Sequence, residues 1–152
     1  MANLKSNLKS KNSYFLSLAF EQAKVNLGST ATNPSVGCVV EKNGSILSSG
    51  RTSIKGRPHA EFNALKKKIN FKNSNIYITL EPCSHYGITP PCTNKIIKKR
   101  IKKVFFSVFD EDKRSKSLSV NKFKKRKILV KTGIKKKYGL TFYKSYFLKQ
   151  KD

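Results

Sequence analysis

The chain has 152 residues, 38% hydrophobic and 11% aromatic, which is one ordinary domain with enough apolar material for a core. It has no run of 18 apolar residues, which excludes an apolar membrane-spanning helix, and the polar, lysine-dotted residues 1–11 lack the apolar stretch of a secretory signal. Lys and Arg number 33 against 8 Asp and Glu, a net charge of +25, which admits nonspecific nucleic-acid binding. That charge is nearly all lysine and is spread along the chain, the bias of an AT-rich coding sequence. It reads first as solvated surface.

Residues 1–12 read as a disordered tail and residues 13–152 as the folded domain. From Ser13, the positions Leu16, Ala19, Phe20, Ala23 and Leu27 recur as the stripe of an amphipathic helix, with Gly28 as its C-cap. A polar loop, 29–34, leads to an apolar strand at 36–40, where Cys38 reads as a small buried hydrophobe. Asn43-Gly44 signals a tight hairpin, and 46–49 is the returning strand. A helix is expected to begin near His59, with Phe62, Leu65 and Ile69 facing inward. Residues 76–80 form a β-branched, aromatic strand, and Pro91 suits the first turn of a helix that turns Ile96 and Ile97 inward. Strands follow at 104–108 and 128–130, and a last helix from about Leu140 presents Tyr143, Tyr146 and Phe147. Strands alternating with short helices predict an α/β fold, a three-layer α/β/α sandwich around a central mixed sheet.

Two short stretches carry the chemistry. Pro58-His59-Ala60-Glu61 and the run Thr79-Leu80-Glu81-Pro82-Cys83-Ser84-His85-Tyr86-Gly87-Ile88-Thr89-Pro90-Pro91-Cys92 supply one imidazole, two thiols and a separate carboxylate. Thiolate and imidazole are zinc donors, and three protein ligands leave a fourth position for water, whose pKa zinc lowers towards ~7. Cys83 and Cys92 are each expected where a loop enters a helix, which favours the thiolate. His59 and Glu61 lie about 200° apart on an ideal helix, so both can serve one metal only if the helix points its end at it. Three cysteines cannot all pair, and this usage suits a reducing cytoplasm. Glu81 reads as a buried hydrogen-bonding carboxylate in preference to a second base.

These stretches, with Asn33-Pro34-Ser35-Val36-Gly37, resemble the zinc cytidine-deaminase-like superfamily, and within it the riboflavin-biosynthesis pyrimidine deaminases. Eight residues separate Cys83 from Cys92, as in the riboflavin enzymes, where cytidine and tRNA adenosine deaminases usually have two. The resemblance implies that His59, Cys83 and Cys92 bind one catalytic zinc and that Glu61 shuttles protons from water to the ring nitrogen and the leaving amine. The implied substrate is 2,5-diamino-6-ribosylamino-4(3H)-pyrimidinone 5-phosphate, deaminated to the aminouracil with release of ammonia. Asn33, Ala60 and His85 would contact it, against the plainer readings of Asn33 as a turn residue before Pro34 and His85 as loop packing.

The chain departs from that family in three places. Thr52 stands where a histidine is usual, seven residues before His59, and Ile88 stands where Lys or Arg is usual. Both positions are expected to help hold the sugar phosphate, and Arg51, Lys55 and Arg57 are the nearby cations that could replace them. Residues 110–119 lack the prolines and glycines of the family's turn. No reductase-like segment follows, so the expectation is either a separate reductase chain that completes the pathway or a truncated product, and a homo-oligomer is expected by analogy. The alternatives are a deaminase of this fold acting on another base or nucleoside, such as tRNA adenosine, and a noncatalytic binding domain.

Overall fold

The computed structural model describes residues 2–151; Met1 of the expected tail and Asp152 at the end of the expected domain lie outside the described residues. In chain order the elements are α1 (Ala2–Val25), β1 (Gly37–Lys42), β2 (Ser45–Arg51), a 3-10 turn (Ile54–Gly56), α2 (Ala60–Leu65), β3 (Asn75–Leu80), α3 (Cys92–Lys98), β4 (Lys103–Val108), α4 (Leu118–Lys124), β5 (Leu129–Thr132), α5 (Lys136–Phe142) and α6 (Lys144–Gln150). The sheet order is β2-β1-β3-β4-β5. β1 runs antiparallel to β2 and β3, while β3, β4 and β5 are parallel. This is the expected mixed sheet.

Burial follows from the side-chain patterns. β3 and β4 sit in the sheet interior and read as near-continuous apolar runs, because helices cover both faces. On one face, Phe15 of α1 packs on Tyr77, which stacks on Phe105 at 4.6 Å between ring centres. On the other, α2 lies so close that a Cβ at Gly50 would stand 2.3 Å from the Ala60 carbonyl. Gly37 plays the same part for α1, with a Cβ there 1.9 Å from the Ala19 carbonyl. Both glycines set how near a helix can approach the sheet.

Several expectations are corrected. The stretch read as a disordered tail is helical from Ala2, continuous with α1, although burial in the core begins only at Asn12. α1 ends at Val25, so Leu27 lies beyond the stripe and is 57% exposed, while Gly28 takes the positive φ of 87° that ends the turn. α2 is only 6 residues long. Leu65 is buried as expected, but Phe62 and Ile69 are not, and the Phe62 ring is capped by the Lys95 ammonium at 4.9 Å. α4 carries no apolar stripe in the sequence, since its only buried apolar side chain is Phe123. The last helix is two. The chain bends at Tyr143, whose ring turns into the core and whose hydroxyl meets Thr79 Oγ1 at 2.6 Å and donates to the Ser35 carbonyl at 2.8 Å.

Candidate active site

The chemistry collects at the end of the sheet where the parallel strands finish, which is where open α/β sheets place ligands. β2 leads through the 3-10 turn to His59, which caps α2 in an extended conformation with φ −70° and ψ 163°. β3 delivers Glu81 and Cys83, and Cys92 opens α3 behind Pro91. The imidazole Nδ1 lies 3.9 Å from Cys83 Sγ and 3.5 Å from Cys92 Sγ. All three donor atoms fall within 4.8 Å of one another. A nitrogen and two sulfurs at this spacing fit a tetrahedral zinc with one position left for water. Cys83 is not at a helix start, contrary to expectation. Its sulfur instead receives the Cys92 N–H, 3.1 Å away at the mouth of α3.

The charges in this cluster are strongly coupled. Contact with Cys92 pushes the Cys83 thiol well down, helped by His59, so Cys83 is the thiolate of the pair. Contact with that thiolate and burial push Cys92 up. The Cys83 contact raises the His59 imidazole, with Glu61 assisting and burial and the Arg57 charge opposing. Glu61 is 3% exposed, and burial, then the Cys83 thiolate, raise its carboxyl. A proton is therefore held cheaply at Glu61, beside the metal donors. Next to each thiol, a hydroxyl oxygen, Ser84 Oγ or Thr93 Oγ1, is buried without a partner among the described residues.

A cavity of about 70 Å³ opens over the cluster, lined among others by Asn33, Thr52, Arg57, His59, Glu61 and His85. Two roomier surface grooves, of about 500 and 770 Å³, hold no such cluster, so size does not mark the site. Asn33 reaches the cavity while its amide donates to the Gly56 carbonyl at 2.9 Å. His85 reaches it with Nδ1 2.6 Å from Ser115 Oγ. Ala60 is wholly buried and is not among the lining residues. Asp112, Arg114 and Tyr146 also line the cavity and were not singled out from the sequence. Tyr146 arrives from α6, with its hydroxyl 3.1 Å from Asp110 Oδ1. No local signal marks such a residue.

The family model for the cytidine and deoxycytidylate deaminase zinc-binding region matches residues 9–108. A diaminohydroxyphosphoribosylamino-pyrimidine deaminase of Buchnera aphidicola subsp. Acyrthosiphon pisum is 37% identical over 139 residues, 91% of this chain and 95% of that protein. The chain belongs to this deaminase family. Two solved relatives of the deaminase are longer than this chain. RibD of Acinetobacter baumannii superposes with a TM-score of 0.88 at 33% identity, covering 93% of this chain and 40% of that one. A Thermotoga maritima protein, named as both a diaminohydroxyphosphoribosylaminopyrimidine deaminase and a 5-amino-6-(5-phosphoribosylamino)uracil reductase, gives 0.85 at 34%, covering 93% and 42%.

The deaminase has rebuilt the places where its sequence departs from its family. Thr52 is 1% exposed, and its hydroxyl is used on backbone, accepting from the Val36 N–H at 2.9 Å and donating to the Pro34 carbonyl at 3.2 Å. Ile88 is 84% exposed and is not among the lining residues. In the turn at 110–119, Ser117 adopts the left-handed φ of 62° that a glycine would take without strain. Glu81 holds that turn, accepting from the N–H groups of Asp110, Ser117 and Ser119 at 3.2, 2.9 and 3.2 Å and from the Ser119 hydroxyl. With that many donors Glu81 is a structural carboxylate. The reading of it as a hydrogen-bonding group in preference to a base is borne out.

Proposed function

We propose that residues 13–152 form a zinc-dependent hydrolase that converts 2,5-diamino-6-ribosylamino-4(3H)-pyrimidinone 5-phosphate to 5-amino-6-ribosylamino-uracil phosphate and ammonia, an early step of riboflavin biosynthesis. The observation that carries this is the convergence of His59, Cys83 and Cys92 within 4.8 Å beside the buried Glu61, on a chain with the riboflavin-type spacing between its cysteines. His59, Cys83 and Cys92 would hold the zinc, which supplies a water acidic enough to ionise near neutrality. Glu61 would take one proton from the attacking water and give it to the ring nitrogen as the amino-bearing carbon is attacked, then take the proton of the new C–OH group and give it to the amine, which leaves as ammonia as the carbonyl forms. Its raised carboxyl suits both halves of that duty. Asn33 and His85 bound the pocket for the ring.

In this reading the enzyme works in the cytoplasm as a homo-oligomer and hands its product to a reductase. No helix among the described residues is long and apolar enough to cross a membrane. The test is ammonia release by zinc-loaded protein from the pyrimidinone phosphate, with cytidine and a tRNA anticodon stem in parallel. Turnover of the pyrimidinone alone supports the assignment. Turnover only of the RNA or of cytidine replaces it, and no turnover of any points to a binding domain.

A further inference from the structure

The catalytic cavity contains one full positive charge that the protein does not neutralise. Four carboxylates line it: Glu61, Glu81, Asp110 and Asp112. Three are engaged internally. Glu81 holds the turn described above, and Asp110 Oδ1 accepts the Asp112 N–H at 3.0 Å and the Tyr146 hydroxyl. Asp112 takes Arg114 in a two-pronged pair, Nε to Oδ1 at 3.0 Å and Nη2 to Oδ2 at 2.6 Å. Arg114 is thereby spoken for. Arg57 is not.

Among the described residues Arg57 is in no ion pair, and its side chain is half-buried on the cavity wall. One nitrogen, Nη1, is steadied by Thr89 Oγ1 at 3.2 Å, which anchors it to the loop between Cys83 and Cys92. Nη2 faces Gly87, where even an added Cβ would stand 3.8 Å away. The guanidinium is therefore held against the loop between Cys83 and Cys92 and keeps donors to spare. The other nearby cations are elsewhere. Arg51 turns to Gln22 at 3.3 Å and lines a separate groove, and Lys55 does not line the cavity.

We infer that Arg57 is a specificity-determining residue of this deaminase, binding the phosphate monoester of its substrate at the cavity mouth. The inference rests on the proposed reaction and deepens it. A planar guanidinium presents paired N–H donors that match two oxygens of a phosphate, where an ammonium offers only a point charge. With Thr52 committed to backbone and Ile88 turned to solvent, Arg57 supplies the cation of this site from its own sequence position. Binding through Arg57 is the same in ground state and transition state, so its loss acts on KM and not on the chemical step.

The test compares wild type, Arg57→Ala, Arg57→Lys and Arg51→Ala, all zinc-loaded, on the pyrimidinone phosphate and on its dephosphorylated ribosylamino analogue. Arg57→Ala is expected to raise KM for the phosphate about tenfold or more, the scale of one charge-assisted bond. It should leave kcat within about twofold, zinc content unchanged, and KM for the dephosphorylated analogue unmoved. Arg57→Lys recovers part of the loss, and Arg51→Ala shows none. An equal KM rise on both compounds, or no rise on either, overturns the inference. Inorganic phosphate titrated into wild type and Arg57→Ala separates this claim from the reaction itself. Weaker binding to the variant in a protein that turns over no pyrimidinone sinks the reaction and keeps the anion site. Equal binding to both overturns the site even if the reaction stands.

Discussion

The two ends of the sheet bury carboxylates in opposite ways. At the end where β3 and β4 begin, Glu41 is fully buried and fully answered: Lys11 Nζ at 2.8 Å, the Asn75 amide at 3.0 Å and the Gly44 N–H at 2.7 Å. At the end where they finish, Glu61 is just as buried, but its neighbours are two thiols and an imidazole, and its carboxyl is pushed up. Glu41 is held below its ordinary value, because its three donors outweigh the effect of burial. A carboxylate surrounded by fixed donors stabilises a fold and is poor at exchanging protons. One left short of donors beside metal ligands is costly to the fold and useful to chemistry. Glu81 shows that position alone does not decide this, since it lies at the catalytic end and yet is satisfied like Glu41.

Breaking the catalytic end should give the largest effects. Cys83→Ser is expected to lose nearly all zinc and all measurable turnover, since metal binding and local folding are linked; metal analysis after gel filtration checks it, and full occupancy would remove Cys83 from the ligand set. Glu61→Gln should keep zinc but reduce kcat by about 10²–10⁴, the usual contribution of a positioned acid–base group, read by ammonia release. A variant with unchanged kcat would erase the contrast with Glu41. Glu81→Ala should cost about 2–4 kcal/mol in denaturant melts, because the backbone donors of the turn at 110–119 lose their acceptor. Lys11→Ala, at the opposite end, should cost only about 0.5–1 kcal/mol, since the lysine is partly solvated.

Acidity offers a finer cut. The lowered Glu41 carboxyl means the folded protein binds fewer protons there than the unfolded chain does. Its contribution is present above its ordinary value of 4.5 and is lost as pH falls through the folded value. Asp110 is raised, by burial first, so its sign is reversed: its contribution is present below 3.8 and lost as pH rises through its folded value. Melts from about pH 3 to 7 should therefore show a shallower acid loss for Glu41→Gln, whereas Asp110→Asn should steepen the net rise of stability with pH. Slopes that move together would mean the two ends are not electrostatically distinct.

Much of this molecule was legible in one dimension. The alternation of β-branched runs with short helices implied the layered α/β fold, and Asn43-Gly44 marked the hairpin that the structure contains. His59, Cys83, Cys92 and Glu61 stood out because scarce, chemically capable residue types recur at a spacing that few other demands on a chain produce. Short helices with little apolar stripe did not stand out. α4 buries one apolar side chain, and in the short α2 Phe62 faces the Lys95 ammonium while Ile69 lies beyond the helix end. Tertiary structure alone decided which of Arg51, Lys55 and Arg57 faces the cavity, and that Tyr146 arrives from the far end of the chain to join Asp110. The physical reason is range. Periodicity and motif spacing record contacts between near neighbours, while the pairing of charges within a cavity depends on segments that only folding brings together.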